Sequence, residues 1–324
     1  MKEDFSDDIL ELTGATKIIS RKRVQSLWSG YGEIAKIGLD SDRTSSVIVK
    51  HISFPDELNH PRGWNTGASH DRKVKSYEVE FNWYKSFTER CPSEARVANF
   101  IGSAARNNEQ ILILEDLDQA GYPKRKTTLT IAEVKLCLAW LAAFHATFMG
   151  DGGLGLWNVG TYWHLNTRQD EFKSMKAGRL KDAAIKLDDL LTNCTFQTIV
   201  HGDAKVANFC FSDDMKSVAM VDFQYTGRGC GMKDVVYLLG SCLDSNACDR
   251  YEEELLIWYF SELQKALVQF NDSVDFKALE IEWRRMYAVA WTDFTRFLEG
   301  WMPTHKKLNA YSKKLLKEAL KKID

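Results

Sequence analysis

No stretch of the 324-residue chain approaches the ~18 uninterrupted apolar residues that a membrane-spanning helix needs. Charge of neither sign is in excess: 43 Lys and Arg stand against 45 Asp and Glu, a formal net charge of -2. Nucleic acid and anionic membranes therefore have no global attraction to the chain. The seven cysteines, Cys91, Cys137, Cys194, Cys210, Cys230, Cys242 and Cys248, contain no C-x-x-C pair. Several sit inside apolar runs as small hydrophobes, which favours a reducing, cytoplasmic compartment. The opening residues Met1 to Asp8 are acidic where a secretory signal would be basic and then apolar, so a protein neither exported nor membrane-embedded is expected. Internal repeats and low-complexity segments are also lacking.

What is there is the composition of an ordinary soluble globular protein, 44% hydrophobic and 27% charged, which sets disorder and collagen-like structure aside. The length suits one large domain or two lobes. The first third reads as strands: Gln25 to Trp28 and Glu33 to Leu39 around a Gly-rich turn, then the β-branched run Ser46 to Ile52. A segment from Ser53 to Ser76 carries Pro, Gly, His and Asn without an apolar period. Helical spacing follows over Tyr77 to Thr88, with Tyr77, Phe81, Tyr84 and Phe87 on one stripe, and then strands at Val97 to Ile101 and Gln110 to Leu114. Beyond Asp116 helical patterns dominate, at Ile131 to Phe148, Lys176 to Leu191, Asp249 to Phe270, Asp275 to Gly300 and Lys306 to Lys322. A bilobal α+β architecture is predicted, with a β-rich lobe over 1–117, a mainly helical lobe over 118–324, and a ligand cleft between them.

The chemistry concentrates in one segment, His201-Gly202-Asp203-Ala204-Lys205-Val206-Ala207-Asn208 followed by Phe209-Cys210-Phe211, a polar turn, and Val218 to Asp222-Phe223. Two apolar strands around a polar turn form a hairpin, which puts Asn208 and Asp222 side by side at one edge. Both offer hard oxygens, and a small cation that keeps several waters and holds phosphates needs only one or two of these. Asp203, one short loop earlier, is placed to accept a proton from an attacking hydroxyl. Lys205 can reach the oxygens of a transferring phosphoryl group, where its charge offsets developing negative charge. His-x-Asp, Asn and then Asp-Phe across a hairpin is the catalytic-loop and metal-loop pattern of kinases.

These residues, His-Gly-Asp-Ala-Lys-Val-Ala-Asn with Val-Asp-Phe-Gln, resemble the aminoglycoside phosphotransferase and choline kinase superfamily, in particular its ecdysteroid-kinase-like branch. The resemblance runs from about Trp28 to about Trp301. It implies a protein-kinase-like fold, ATP and Mg2+ as cofactors, and phosphorylation of a hydroxyl on a small molecule. It matches Lys50 to the strand lysine that holds phosphates, and Glu78 to the helix glutamate paired with it, with Glu80 as the alternative on another helix face. Gly30 and Gly32, in Ser29-Gly30-Tyr31-Gly32, can lay backbone N–H groups over phosphates, although a plain hairpin turn accounts for them as well. Glu115-Asp116-Leu117 matches the inter-lobe hinge that meets adenine, with Glu115 and Leu117 contributing by position.

Two features separate the chain from protein kinases. Only eleven residues lie between Asp222 and Asp234, without Ala-Pro-Glu, too few for a peptide-docking activation segment. Gly202 stands where those enzymes carry the arginine that clamps a loop phosphate. Asp234 reads as a helix N-cap or loop anchor, and His145 as a core histidine. On the acceptor side, Trp283, Tyr287, Trp291, Phe294, Leu298 and Trp301 recur at helical spacing. They form either a core stripe or a set of aromatic faces for a quaternary ammonium, with Asp293 and Glu299 near it. The basic segment His60 to Trp64 and Ser69 to Lys73 is a candidate closing loop. Besides the kinase, two other readings are open: a non-catalytic nucleotide- or metabolite-binding module on the same fold, and a metal-dependent hydrolase, which would need His and Asp clusters that this chain does not offer.

Overall fold

The computed structural model describes residues 4–27, 30–54 and 67–323. A five-stranded antiparallel sheet occupies the first third of the chain, from β1 (Lys17–Ser26), β2 (Gly32–Asp40), β3 (Ser46–Ser53), β4 (Phe100–Arg106) and β5 (Glu109–Glu115), in the order β1-β2-β3-β5-β4. Helix α1 (Ser6–Thr13) covers one face, and α2 (Gly67–Ser86), inserted between β3 and β4, lies on the other side. The strand period sorts the side chains: Val47, Val49, Ile111 and Ile113 pack with Phe5 and Ile9 of α1, while Leu112 and Leu114 join Val79 and Trp83 of α2. Lys50 shares its face with Ile48 and Ile52, and so points toward α2.

The helical half comprises α3 (Ile131–Thr147), α4 (Gln169–Ser174), α5 (Arg179–Thr192), α6 (Met232–Cys242), α7 (Ser245–Phe270), α8 (Phe276–Trp301) and α9 (Ala310–Ile323). A capping box of Thr130 and Glu133 starts α3, which packs along α7, while α8 packs against α5, α6 and α9. Two short ribbons carry the loops of interest: β6 (Thr198–Val200) pairs with β9 (Gly227–Gly229), and β7 (Phe209–Phe211) with β8 (Val218–Met220). The main core is continuous across position 117, from Trp83 and Leu112 through Phe144, Phe148 and Phe223 to Tyr259 and Trp283. Among the described residues no helix is long and apolar enough to cross a membrane.

Several elements depart from the sequence expectation, among them β4, which runs over Phe100–Arg106 and not Val97 to Ile101, and the unforeseen helices α4 and α6. Strand β1 starts at Lys17, well before Gln25, because it is an edge strand exposed on nearly every residue and so lacks an apolar alternation. Helix α1 is short and its apolar contribution is small. Helix α2 starts at Gly67 rather than Tyr77, taking in His70, Arg72 and Lys73, so this part of the basic segment is helical. The remainder of that segment, His60 to Trp64, lies outside the described residues, as do Trp28 and Ser29.

Candidate active site

Asp203 follows β6 in a loop anchored from beneath. The buried Asp234 carboxylate accepts the backbone N–H of His201 at 2.6 Å and of Gly202 at 2.9 Å, and meets Nε2 of His145 at 3.1 Å. Asp234 is thus a loop anchor, and Gly231, not Asp234, is the N-cap of α6. His145, whose Nδ1 meets the Tyr259 hydroxyl at 2.8 Å, is a satisfied core histidine. His201 accepts the Asp203 N–H on Nδ1 at 3.2 Å, which leaves Nε2 to donate to the Val221 carbonyl at 3.1 Å. Burial pushes this imidazole down to about 4, so it stays neutral as a strut between the Asp203 loop and the strand end before Asp222. Gly202 has φ +80, and a Cβ there would stand 2.1 Å from the Tyr225 carbonyl oxygen and 2.8 Å from the Thr161 nitrogen. The arginine of protein kinases has no room at this position.

At the front of the loop, Asp203 Oδ2 accepts from Lys205 Nζ at 2.5 Å and from Asn208 Nδ2 at 3.2 Å. The same Asn208 nitrogen reaches the Asp203 carbonyl at 2.9 Å, so its amide oxygen is the atom left for another partner. Burial and the nearby Asp222 raise the Asp203 carboxyl to about 6 against the pull of Lys205. Asp222, two residues past the end of β8, has a left-handed backbone, φ 73. Its buried Oδ1 has no hydrogen-bond partner and lies 3.8 Å from Lys50 Nζ. Burial pushes this carboxyl up, but Lys50, Lys205 and Lys73 together hold it below the ordinary range. An ionised carboxylate with an orphaned oxygen, next to an amide whose nitrogen is already engaged, is a donor set that fits a small hard cation.

Lys50 is buried and pairs with Glu80 at 2.5 Å. The match to Glu78 is corrected: Glu78 lies on the outer face of α2, more than half exposed, and pairs with Lys75 at 3.3 Å. Two positions along a helix turn a side chain by about 200°, so only one of the pair can face β3. A further cation, Lys73, sits one turn before Tyr77, with Nζ 4.5 Å from that ring and 2.6 Å from the Gln224 amide oxygen. Burial and the neighbouring Lys50 push it down to about 8. Gln224 thereby ties α2 to the loop after Asp222, and Phe223 stacks on Trp83 at 4.5 Å to complete the joint.

The glycines and the hinge have structural occupations. Gly30 donates its N–H to the Leu27 carbonyl at 3.4 Å and Leu27 donates to Gly32 at 2.8 Å, the bonds of a hairpin turn. A Cβ on Gly32 would stand 2.0 Å from the His51 carbonyl oxygen. Glu115 binds Arg96 at 2.5 Å and the Asn99 N–H at 3.0 Å, and the Leu117 carbonyl accepts from Tyr122 at 2.8 Å. The Glu115 carboxylate and the Leu117 carbonyl are therefore engaged within the protein.

The helical aromatic stripe divides. Trp283, Tyr287 and Trp291 belong to the main core. Phe294 and Leu298, with Trp301 at the edge, form a separate cluster with Trp163, Tyr237 and Phe297. Asp293 is buried against Arg296 at 2.8 Å and does not face solvent. Glu299 is partly buried, and burial pushes its carboxyl up.

A family model described as the ecdysteroid kinase-like family matches residues 33–149 and 162–271, well over half of the chain. The chain belongs to the ecdysteroid kinase-like family. The matched residues include Lys50, Glu80, Asp203, Lys205, Asn208 and Asp222. No curated protein matches the chain by sequence. Among solved structures, an aminoglycoside-3'-phosphotransferase of type VIII aligns at 13% identity and TM-score 0.47, over 89% of this chain and all (100%) of its own. A microcompartment-associated aminopropanol kinase aligns at 12% identity and TM-score 0.48, over 98% and 94% of the two chains. An ethanolamine kinase of Plasmodium vivax aligns at 12% identity and TM-score 0.48, over 93% and 82%. Membership of the ecdysteroid kinase-like family places the chain with small-molecule kinase-like proteins of mixed α and β architecture.

Lys73 entered the site without a motif of its own, whereas Gln224 closes the Val-Asp-Phe-Gln match and Asp234 reads in the sequence as a helix N-cap or loop anchor. Lys73 lay in a segment lacking apolar period, and the Asp234 signal was only its position at a helix start.

Proposed function

We propose that this ecdysteroid kinase-like protein is an ATP- and Mg2+-dependent kinase that transfers the γ-phosphoryl group to a hydroxyl of a small molecule. The observation that carries this reading is the convergence of Lys205, Asn208 and Asp203 at 2.5 to 3.2 Å beside the orphaned Asp222 oxygen. Asn208 and Asp222 would hold Mg2+, which when bound offsets phosphate charge and orients the γ-phosphoryl group. The acceptor oxygen bonds to the γ-phosphorus, the bond from that phosphorus to the bridging oxygen breaks, and ADP leaves. Asp203 takes the hydroxyl proton, and a carboxyl raised to about 6 is a stronger base than an ordinary aspartate while still ionised at neutral pH. Lys205 balances charge at the transferring group, and Lys50, held straight by Glu80, faces the donor phosphates.

The short return from Asp222 to Asp234 supports a small acceptor. Gly227 to Gly229 are committed to the ribbon with β6, and Trp157 bonds this stretch from the other side, accepting from Arg228 at 3.2 Å. The loop is stitched to the helical half and offers no peptide platform. The test is ADP release against a panel of amino alcohols, aminoglycosides, sugars and sterols, with Asp203→Asn as the control. At least one acceptor should stimulate release in the native protein only. ATP with Mg2+ raising the melting temperature without any turnover would favour a binding module, and binding of neither would sink the kinase reading.

A further inference from the structure

Beside Asp203 lies an aromatic box whose faces are already occupied by cations of the protein itself. Tyr162 packs edge-on to Tyr237 at 5.5 Å and to Phe297 at 5.4 Å, and Tyr237 meets Phe294 at 5.2 Å. Trp163 closes the cluster. The box adjoins the catalytic loop because the Tyr162 N–H donates to the Gly202 carbonyl at 3.3 Å. The Tyr237 hydroxyl faces both Tyr162 and Asp203, and after burial these neighbours are what raise it.

A box of this kind attracts a ligand ammonium when its ring faces are free. Here Lys307, from the connection between α8 and α9, places Nζ 4.9 Å from the Tyr237 ring and 5.2 Å from that of Phe294. The Arg168 guanidinium stands 5.3 Å from the Phe297 ring and 5.8 Å from Tyr162, fixed by Glu171 at 3.0 Å and by the Tyr162 carbonyl at 2.5 Å. Burial pushes Lys307 down to about 8 against the attraction of Asp203, so it keeps most of its charge at neutral pH. An incoming ammonium would have to displace one of these cations or lie next to it, and like charges held close together in a poorly solvated site cost affinity. Uncharged and anionic acceptors meet no such penalty.

We propose that Lys307 is a specificity-determining residue, which together with Arg168 fills the aromatic box beside Asp203 and directs the site to hydroxyl acceptors without positive charge. The inference rests on the kinase reading for the word acceptor, but its test is a binding measurement. The probes are choline and neohexyl alcohol, which share a shape and differ in having a quaternary nitrogen or a quaternary carbon. Dissociation constants for both are measured by calorimetry on the full chain, native, Lys307→Met and Lys307→Arg. The native protein should favour neohexyl alcohol by about tenfold or more, Lys307→Met should move the ratio toward choline by a similar factor, and Lys307→Arg should keep the native preference. Choline bound as tightly as its isostere by the native protein, the same ratio in Lys307→Met, or binding of neither probe would overturn the proposal. A ratio that moves as expected in a protein with no acceptor-dependent ADP release would uphold the box and remove the kinase reading.

Discussion

Lys50 on β3 and Glu80 on α2 meet at 2.5 Å with both side chains buried, while Glu78, on the same helix, is solvated on the opposite side. The pair joins the sheet to α2 and, through Lys73 and Gln224, to the loop that bears Asp222.

Glu80→Gln removes the close partner of the buried Lys50 ammonium and leaves it only the more distant Asp222 carboxylate, at 3.8 Å. Stranding one member of a buried pair costs about 3 to 5 kcal/mol. Thermal unfolding should show a clear loss for Glu80→Gln and almost none for Glu78→Gln, and only the first should lose ADP release. Equal effects would place the partner wrongly.

Asp203→Asn removes the proton acceptor but keeps the side-chain volume. Turnover should fall by about two to four orders of magnitude, the usual contribution of a positioned base, with ATP affinity nearly unchanged. The native kcat/KM should decline as pH drops through about 6, where Asp203 takes up its proton.

The pH dependence of stability carries two opposing contributions. Between the ordinary aspartate value and about 6, the folded protein keeps a proton on Asp203 that the unfolded chain releases, so this stabilising contribution is lost as pH rises through that window. His201 is lowered to about 4, so its contribution is full above the ordinary histidine value and is lost as pH falls toward 4. Because the two windows overlap and their slopes oppose, Asp203→Asn should unmask the His201 contribution, and denaturant titrations should show a steeper loss of stability toward acid pH than in the native protein.

Gly202→Ala forces a Cβ to 2.1 Å from the Tyr225 carbonyl oxygen at a left-handed φ of +80. The strain should exceed about 1 kcal/mol and displace Asp203, so that melting temperature and turnover fall together. An alanine variant with native turnover would show that the loop has room to spare.

The meeting of the site's side chains was legible because they lie in one short stretch: the loop after β6 and the β7–β8 hairpin bring Asp203, Lys205, Asn208 and Asp222 together, and the spacing encodes that. The Lys50 partner was not, since Glu78 and Glu80 differ only in helix rotation, which is set by how Tyr77, Trp83 and Tyr84 pack. Lys307, Arg168 and Tyr237 come from three distant segments, and no local pattern joins them. The aromatic stripe of α8 was legible as a core stripe but not as two: helical spacing reports a common face, whereas Trp283 and Phe294 lie far enough apart along the helix to enter different clusters. Edge strand β1 stayed hidden because its exposure removes the alternation by which strands are read.

The most direct measurement follows the γ-phosphoryl group of labelled ATP in the presence of Mg2+ and the acceptor panel. The account predicts label in an organic phosphate ester with the native protein, appearing about two to four orders of magnitude more slowly with Asp203→Asn. Label that remains in ATP, or appears only as inorganic phosphate whatever acceptor is present, would contradict it.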